Sequence, residues 1–190
     1  MNLRTRSILP GLAAAAACVA LALPASALPA SAMTVPGQAS RTATAIAPCK
    51  SFSTEVWLGL GNGGGSAGTF FYPLEFSNIG RRTCSLYGYP GVSAVTAGGR
   101  QIGLPGTGSG RKRLVILRPG WTAHAILGIV DAGNIAGCRI RHGALLKVFA
   151  PGQKAWQIIP GFTFTACGNK SVLRVNAVHA GTGIPGFTTS

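Results

Sequence analysis

Phe70, Tyr72, Leu74 and Phe76 alternate with Phe71, Pro73 and Glu75. Apolar side chains at every second position predict a strand with one face on a core. Period two returns where Ala123, Ala125, Leu127 and Ile129 alternate with His124, Ile126, Gly128 and Val130, and where Leu173, Val175 and Ala177 alternate with Arg174, Asn176 and Val178. Shorter runs of strand length lie at Val92–Thr96, Leu114–Leu117, Leu145–Phe149, Trp156–Ile159 and Phe162–Phe164. Gly or Pro stands at nearly every junction, as in Asn78-Ile79-Gly80, Tyr89-Pro90-Gly91, Pro119-Gly120, Pro151-Gly152 and Pro160-Gly161. Many short strands between such turns predict an all-β sandwich or barrel. Pro73 cannot donate to a ladder, which places its strand at an edge or on a bulge.

The first residues follow a different pattern. Arg4 and Arg6 precede an apolar stretch, Ile8 to Leu23, followed by Ala25-Ser26-Ala27 and Ala30-Ser31-Ala32. A positive start, an apolar run and small-x-small sites predict a cleavable export signal over residues 1–32, cut after Ala27 or Ala32. Pro10 and Pro24 bracket an apolar run of about 13 residues, short of the roughly 20 that span a bilayer, so no membrane span is expected in the mature protein. Ala17-Cys18 resembles a lipoprotein cleavage site, but the apolar run continues through Val19 to Leu23, which disfavours lipid anchoring at Cys18. Cleavage after Ala32 leaves 158 of the 190 residues, enough for one domain with a real core. Residues 33–48 read as a flexible linker, 49–179 as the folded domain and 180–190 as a disordered tail.

Beyond the leader the cysteines are Cys49, Cys84, Cys138 and Cys167. An even number in an exported chain predicts disulfides, and four cysteines allow three pairings. Cys138, His142 and Cys167 offer a zinc alternative through their Cys-x3-His spacing, but an oxidising compartment argues against it.

Several strings then point to a family. Tyr72-Pro73-Leu74-Glu75-Phe76-Ser77-Asn78-Ile79-Gly80, Thr83-Cys84-Ser85-Leu86-Tyr87-Gly88-Tyr89-Pro90-Gly91-Val92, Gly99-Arg100-Gln101-Ile102-Gly103 and Leu117-Arg118-Pro119-Gly120-Trp121-Thr122-Ala123 together resemble the DUF4232 family of actinobacterial exported proteins. So do Cys49, the isolated Cys138, and Ala166-Cys167. The resemblance implies an immunoglobulin-like β-sandwich with sequential disulfides, Cys49–Cys84 and Cys138–Cys167. It supplies neither catalytic residues nor a ligand. Loops of this size imply about 3.5–4 kcal/mol from each bridge in the chain-entropy view. Asn78 and Gly80 suit a tight turn before Cys84, and Tyr87, Tyr89 and Pro90 are expected as an aromatic corner over that bridge.

Enzyme-like strings fail on context. Gly59 to Gly64 fits the dinucleotide fingerprint literally, yet a strand follows where a helix is required. Gly64-Gly65-Ser66-Ala67-Gly68, with Asp131 and then His142 or His179, follows hydrolase order. A nucleophile elbow needs a strand–turn–helix, whereas Ser66 lies in a glycine loop between strands. Glu55, Glu75 and Asp131 are the chain's three carboxylates; Glu55 and Glu75 are expected to face solvent, and His124, His142 and His179 to be structural or exposed. No catalytic residue, metal or cofactor is expected.

Charge narrows the partner. Removing Arg4 and Arg6 from 17 basic residues leaves 15 against 3 acidic ones, about +12. Candidate anion-binding residues are Arg81 and Arg82; Arg111, Lys112, Arg113 and Arg118; and Arg139 and Arg141. Such a field attracts polyanions, which outside the cytoplasm means anionic envelope polymers or lipid headgroups. Few aromatics and no nucleic-acid module argue against specific nucleic-acid binding. The expectation is a secreted, non-catalytic envelope-binding module. The alternatives are a serine hydrolase at Ser66 and an inhibitor or adhesion module that grips a protein by a loop or exposed edge.

Overall fold

The alternating runs become strands, the last of them only as far as Asn176, in the computed structural model, which describes residues 45–59 and 65–183. The export leader and most of the linker lie outside the described residues, as do Leu60–Gly64 and residues 184–190. In chain order the strands are β1 (Thr54–Leu58), β2 (Gly65–Ser66), β3 (Thr69–Asn78), β4 (Cys84–Tyr87), β5 (Gly91–Val95), β6 (Gln101–Ile102), β7 (Thr107–Ser109), β8 (Leu114–Leu117), β9 (Thr122–Val130), β10 (Ile140–Phe149), β11 (Trp156–Cys167), β12 (Leu173–Asn176) and β13 (His179–Ala180). Short 3-10 turns occupy Ser51–Ser53 and Ala132–Asn134.

One sheet runs β1-β3-β9-β12-β7, with β2 added to β3 and β13 to β9; the other runs β11-β10-β5-β6. β4 and β8 pair separately. All pairings between these strands are antiparallel except β12 with β7. The longest ladder joins β3 to β9 from Thr69↔Val130 to Ser77↔Thr122. Its core face carries Leu74, Phe76, Ala123, Ala125 and Leu127, which pack in one cluster with Val92, Ala94, Leu146 and Val148 of the other sheet. Burial of each Leu or Val contributes roughly 1.5–3 kcal/mol, and two apolar faces closing on one core make a sandwich.

Two expectations about proline need correction. β3 is an interior strand, not an edge: β1 flanks it on one side and β9 on the other. Pro73 is tolerated because β1 ends at Leu58, paired to Leu74, and Gly59 closes the ladder by donating its N–H to the Pro73 carbonyl at 2.8 Å. Pro160-Gly161 does not separate two strands. β11 continues through it, and its register on β10 jumps from Lys147↔Ile158 to Leu145↔Thr163, so the extra residues form a bulge.

Both bridges follow the sequential pairing, with Cα separations of 4.7 Å for Cys49–Cys84 and 5.4 Å for Cys138–Cys167. The sulfurs of Cys138 and Cys167 are therefore occupied by each other. Tyr87 does not cover the first bridge; it is 58% exposed. Tyr89 instead packs on Gly108, where a Cβ would lie 2.6 Å from its ring, and its hydroxyl donates to the Gly110 carbonyl.

The Gln157 side chain also joins the sheets. The Gln157 carboxamide, on β11, accepts the Val56 N–H at 3.2 Å and donates to the Thr54 carbonyl at 2.8 Å. It thereby satisfies part of the outer edge of β1, as another strand would.

Ordered contacts run slightly beyond residues 49–179. Ser85 N–H donates to the Ala47 carbonyl at 3.0 Å, and Gly183 N–H donates to Glu75 Oε1 at 2.7 Å.

Candidate functional site

Asn78, at the end of β3, is buried and gathers three loops. Its Nδ2 donates to the carbonyls of Arg82 at 2.9 Å and Leu117 at 3.0 Å, while Oδ1 accepts the Gly80 N–H at 3.0 Å. Its backbone N–H donates to the Trp121 carbonyl at 2.9 Å, and its own carbonyl accepts the Gly120 N–H at 2.8 Å. The Ile79 N–H then donates to the Ser53 carbonyl at 3.0 Å. The 50–53, 79–83 and 118–121 loops thus meet at one end of the sandwich. A turn at Asn78 was expected from its sequence; its role as a junction was not.

These loops hold Lys50, Arg81, Arg82 and Arg118, all exposed, and no carboxylate. Lys50 Nζ lies 5.6 Å from the Phe52 ring centre, and the Arg118 guanidinium 4.8 Å from that of Trp121. Where acids are absent, ring faces supply the favourable field for a cation. Between residues 47–53 and 80–84 lies a cavity of about 470 Å³, lined by Lys50, Phe52, Arg81 and Arg82, with Cys84 in its wall.

The other predicted basic residues stand elsewhere. Arg111, Lys112 and Arg113 precede β8, while Arg118 follows it; at the usual rise that strand separates them by about 16 Å or more. Lys112 Nζ sits 5.4 Å from the Tyr89 ring centre. Arg139 and Arg141 lie at the opposite end, beside Cys138–Cys167: the Arg139 N–H donates to Asn169 Oδ1, and Arg141 pairs with Ala166. The structure therefore brings Arg81, Arg82 and Arg118 together with Lys50 and leaves the other candidates apart.

Glu75 also departs from expectation. It is 1% exposed rather than solvent-facing. It pairs with His124, which pairs with His179, so the three form a row across β3, β9 and β13. The row lies on the face opposite Leu74 and Phe76. The chain after β13 closes over it: His124 Nδ1 lies 2.9 Å from the Gly181 carbonyl, and Gly183 N–H reaches Glu75 Oε1. Glu75 Oε2 is buried without a hydrogen-bond partner among the described residues. Burial pushes the Glu75 carboxyl above the ordinary range, opposed by the Gly183 N–H and by the charge of His124. Burial, and then the charges of His124 and Arg113, hold His179 below its ordinary value. No local spacing announces this row, because only strand pairing assembles it.

Ser66 occupies a two-residue arm beside Thr69 and is exposed. His179 lies level with Glu75, six residues along β3, or about 20 Å away. Asp131 Oδ1 accepts the Gly133 N–H, and His142 Nδ1 lies 3.3 Å from Thr165 Oγ1. The fingerprint over Gly59–Gly64 falls mostly outside the described residues.

Comparison with protein families decides the affiliation. A model described as a domain of unknown function, DUF4232, matches residues 49–179. The chain belongs to the DUF4232 family. No curated protein and no solved structure matches it. Cys49 opens the matched DUF4232 segment, and all four bridging cysteines lie within it. Two bridges in a DUF4232 domain indicate an oxidising environment.

Proposed function

We propose that this domain is an exported, non-catalytic module that binds anionic partners of the cell envelope. The observation that carries the reading is the convergence of Lys50, Arg81, Arg82 and Arg118 around Asn78, in loops without a carboxylate. Cations with no ion pair among the described residues, held on one end, create a positive field without first having to break such pairs. The two disulfides support an extracellular address, and the apolar leader supports export by a cleaved signal.

Salt titration tests the reading. Bound to a soluble polyanion such as polyphosphate, the oxidised domain should lose affinity steeply as salt rises. By the measure of duplex DNA, each neutralised phosphate contributes a log–log slope of about −0.9. Replacing Arg81, Arg82 and Arg118 by alanine should flatten the slope by roughly 2–3. The same reduction at Arg139, Arg141 and Lys170 should have a smaller effect. Equal effects would make the charge a bulk property of the surface, and no binding at low salt would overturn the proposal.

A further inference from the structure

The loops around Asn78 carry more than charge. Phe52 is 81% exposed, Ile79 61% and Trp121 53%. Each belongs to a different loop, and the backbone bonds from Ile79 to Ser53 and from Asn78 to Trp121 fix all three loops against one another. Three large apolar side chains therefore stand among four cations on one end of a rigid domain.

A soluble polyanion has no use for an exposed isoleucine. An anionic bilayer satisfies both kinds of side chain, because apolar groups enter the headgroup boundary while lysine and arginine meet phosphates. The Trp121 indole favours the same depth, with its apolar body inward and its N–H toward water. We infer that this end of the domain docks on the surface of a membrane rich in anionic phospholipid, with Phe52, Ile79 and Trp121 entering the interface. The cavity beside Phe52 receives a phosphate-bearing headgroup between Lys50, Arg81 and Arg82. Its volume of about 470 Å³ falls in the range of small-ligand sites, about 300–1,000 Å³. The Cys49–Cys84 bridge ties its two walls together, so binding does not have to order them. This inference rests on the anionic-partner reading and commits it to lipid.

The test uses vesicles of equal parts phosphatidylglycerol and phosphatidylcholine, vesicles of phosphatidylcholine alone, and lipid-free polyphosphate. The oxidised domain should sediment with the anionic vesicles and not with the neutral ones. Changing Phe52, Ile79 and Trp121 to serine preserves every charge. It should weaken vesicle binding about tenfold or more and leave polyphosphate binding unchanged. Removing one of Lys50, Arg81 or Arg82 should weaken vesicle binding about fivefold. Circular dichroism and the melting temperature of each variant check that the fold is retained. Polyphosphate binding with no vesicle binding overturns the membrane inference and leaves the anionic-partner reading standing. Loss of both overturns the two together. Equal vesicle binding by the serine variant would also sink the inference, since charge alone would then suffice.

Discussion

Glu75 and His124 face one another across β3 and β9, on the side of the sheet that the chain covers after β13. The carboxylate is shut away from water with one oxygen bonded to Gly183 and the other unpartnered among the described residues. A buried carboxyl favours its neutral form. Its stabilising contribution is complete below the ordinary value of 4.5, and fades as pH rises through its raised folded value.

Glu75→Gln should therefore gain stability relative to the parent as pH rises, because glutamine stays neutral and keeps an oxygen for Gly183. His179 acts in the opposite sense: its contribution is complete above 6.5 and is lost as pH falls through its lowered folded value. In the glutamine variant that acid loss stands alone, with the charges facing it on His124 and Arg113. Thermal melts of both proteins from about pH 4 to pH 8 check this. A difference between them that shrinks toward neutral pH would refute the assignment.

Asn78→Ala should cost about 2–4 kcal/mol, since two carbonyls and one N–H lose their partner at a buried site. Asn78→Asp is nearly isosteric, yet it should be no better. It can still accept from Gly80, but it presents an anion to the carbonyls of Arg82 and Leu117. Denaturant melts rank the variants, and a well-tolerated aspartate would show that the donors contribute little.

Opening the Cys49–Cys84 bridge with a double serine substitution should cost roughly 3–4 kcal/mol, the chain-entropy value for a loop of this length. It should also release the segment before β1, raising amide exchange at Cys49 and Ser85, whose N–H groups bond across the bridge. Unchanged exchange there would mean that hydrogen bonding alone holds the segment.

Gln157→Leu should destabilise the domain by about 1–2 kcal/mol through the unpaired Val56 N–H and Thr54 carbonyl. The uncovered edge of β1 should then recruit another chain. Light scattering across a concentration series would show association in the variant, and a strictly monomeric variant would argue that β1 is protected by other means.

The sandwich was legible because alternation is a local signal. The runs at Phe70–Phe76 and Ala123–Ile129 became neighbours β3 and β9 with their apolar positions on one face. The two sulfur bridges were foreseen from family strings, since spacing alone left three pairings open. The site was only partly legible. Clusters of arginine are visible as text, but which of them share an end depends on Asn78 and on the path of β8. Glu75 looked solvent-facing because it alternates with core residues. Its burial arises when Gly183 returns to it across 108 positions, and no window of the sequence contains that contact.

The bridges also determine how the domain carries tension. A pull on the chain before Cys49 passes through the sulfurs into Cys84, so β1, β2 and β3 lie inside a covalent loop and bear no load. β10 and β11 are shielded in the same way between Cys138 and Cys167. The load path narrows to the segments from Cys84 to Cys138 and beyond Cys167. Among the described residues, the two-residue strand β13 is the first element it meets from the C-terminal side. Separation of β13 from β9 along that path uncovers the Glu75 row while both bridged loops stay closed.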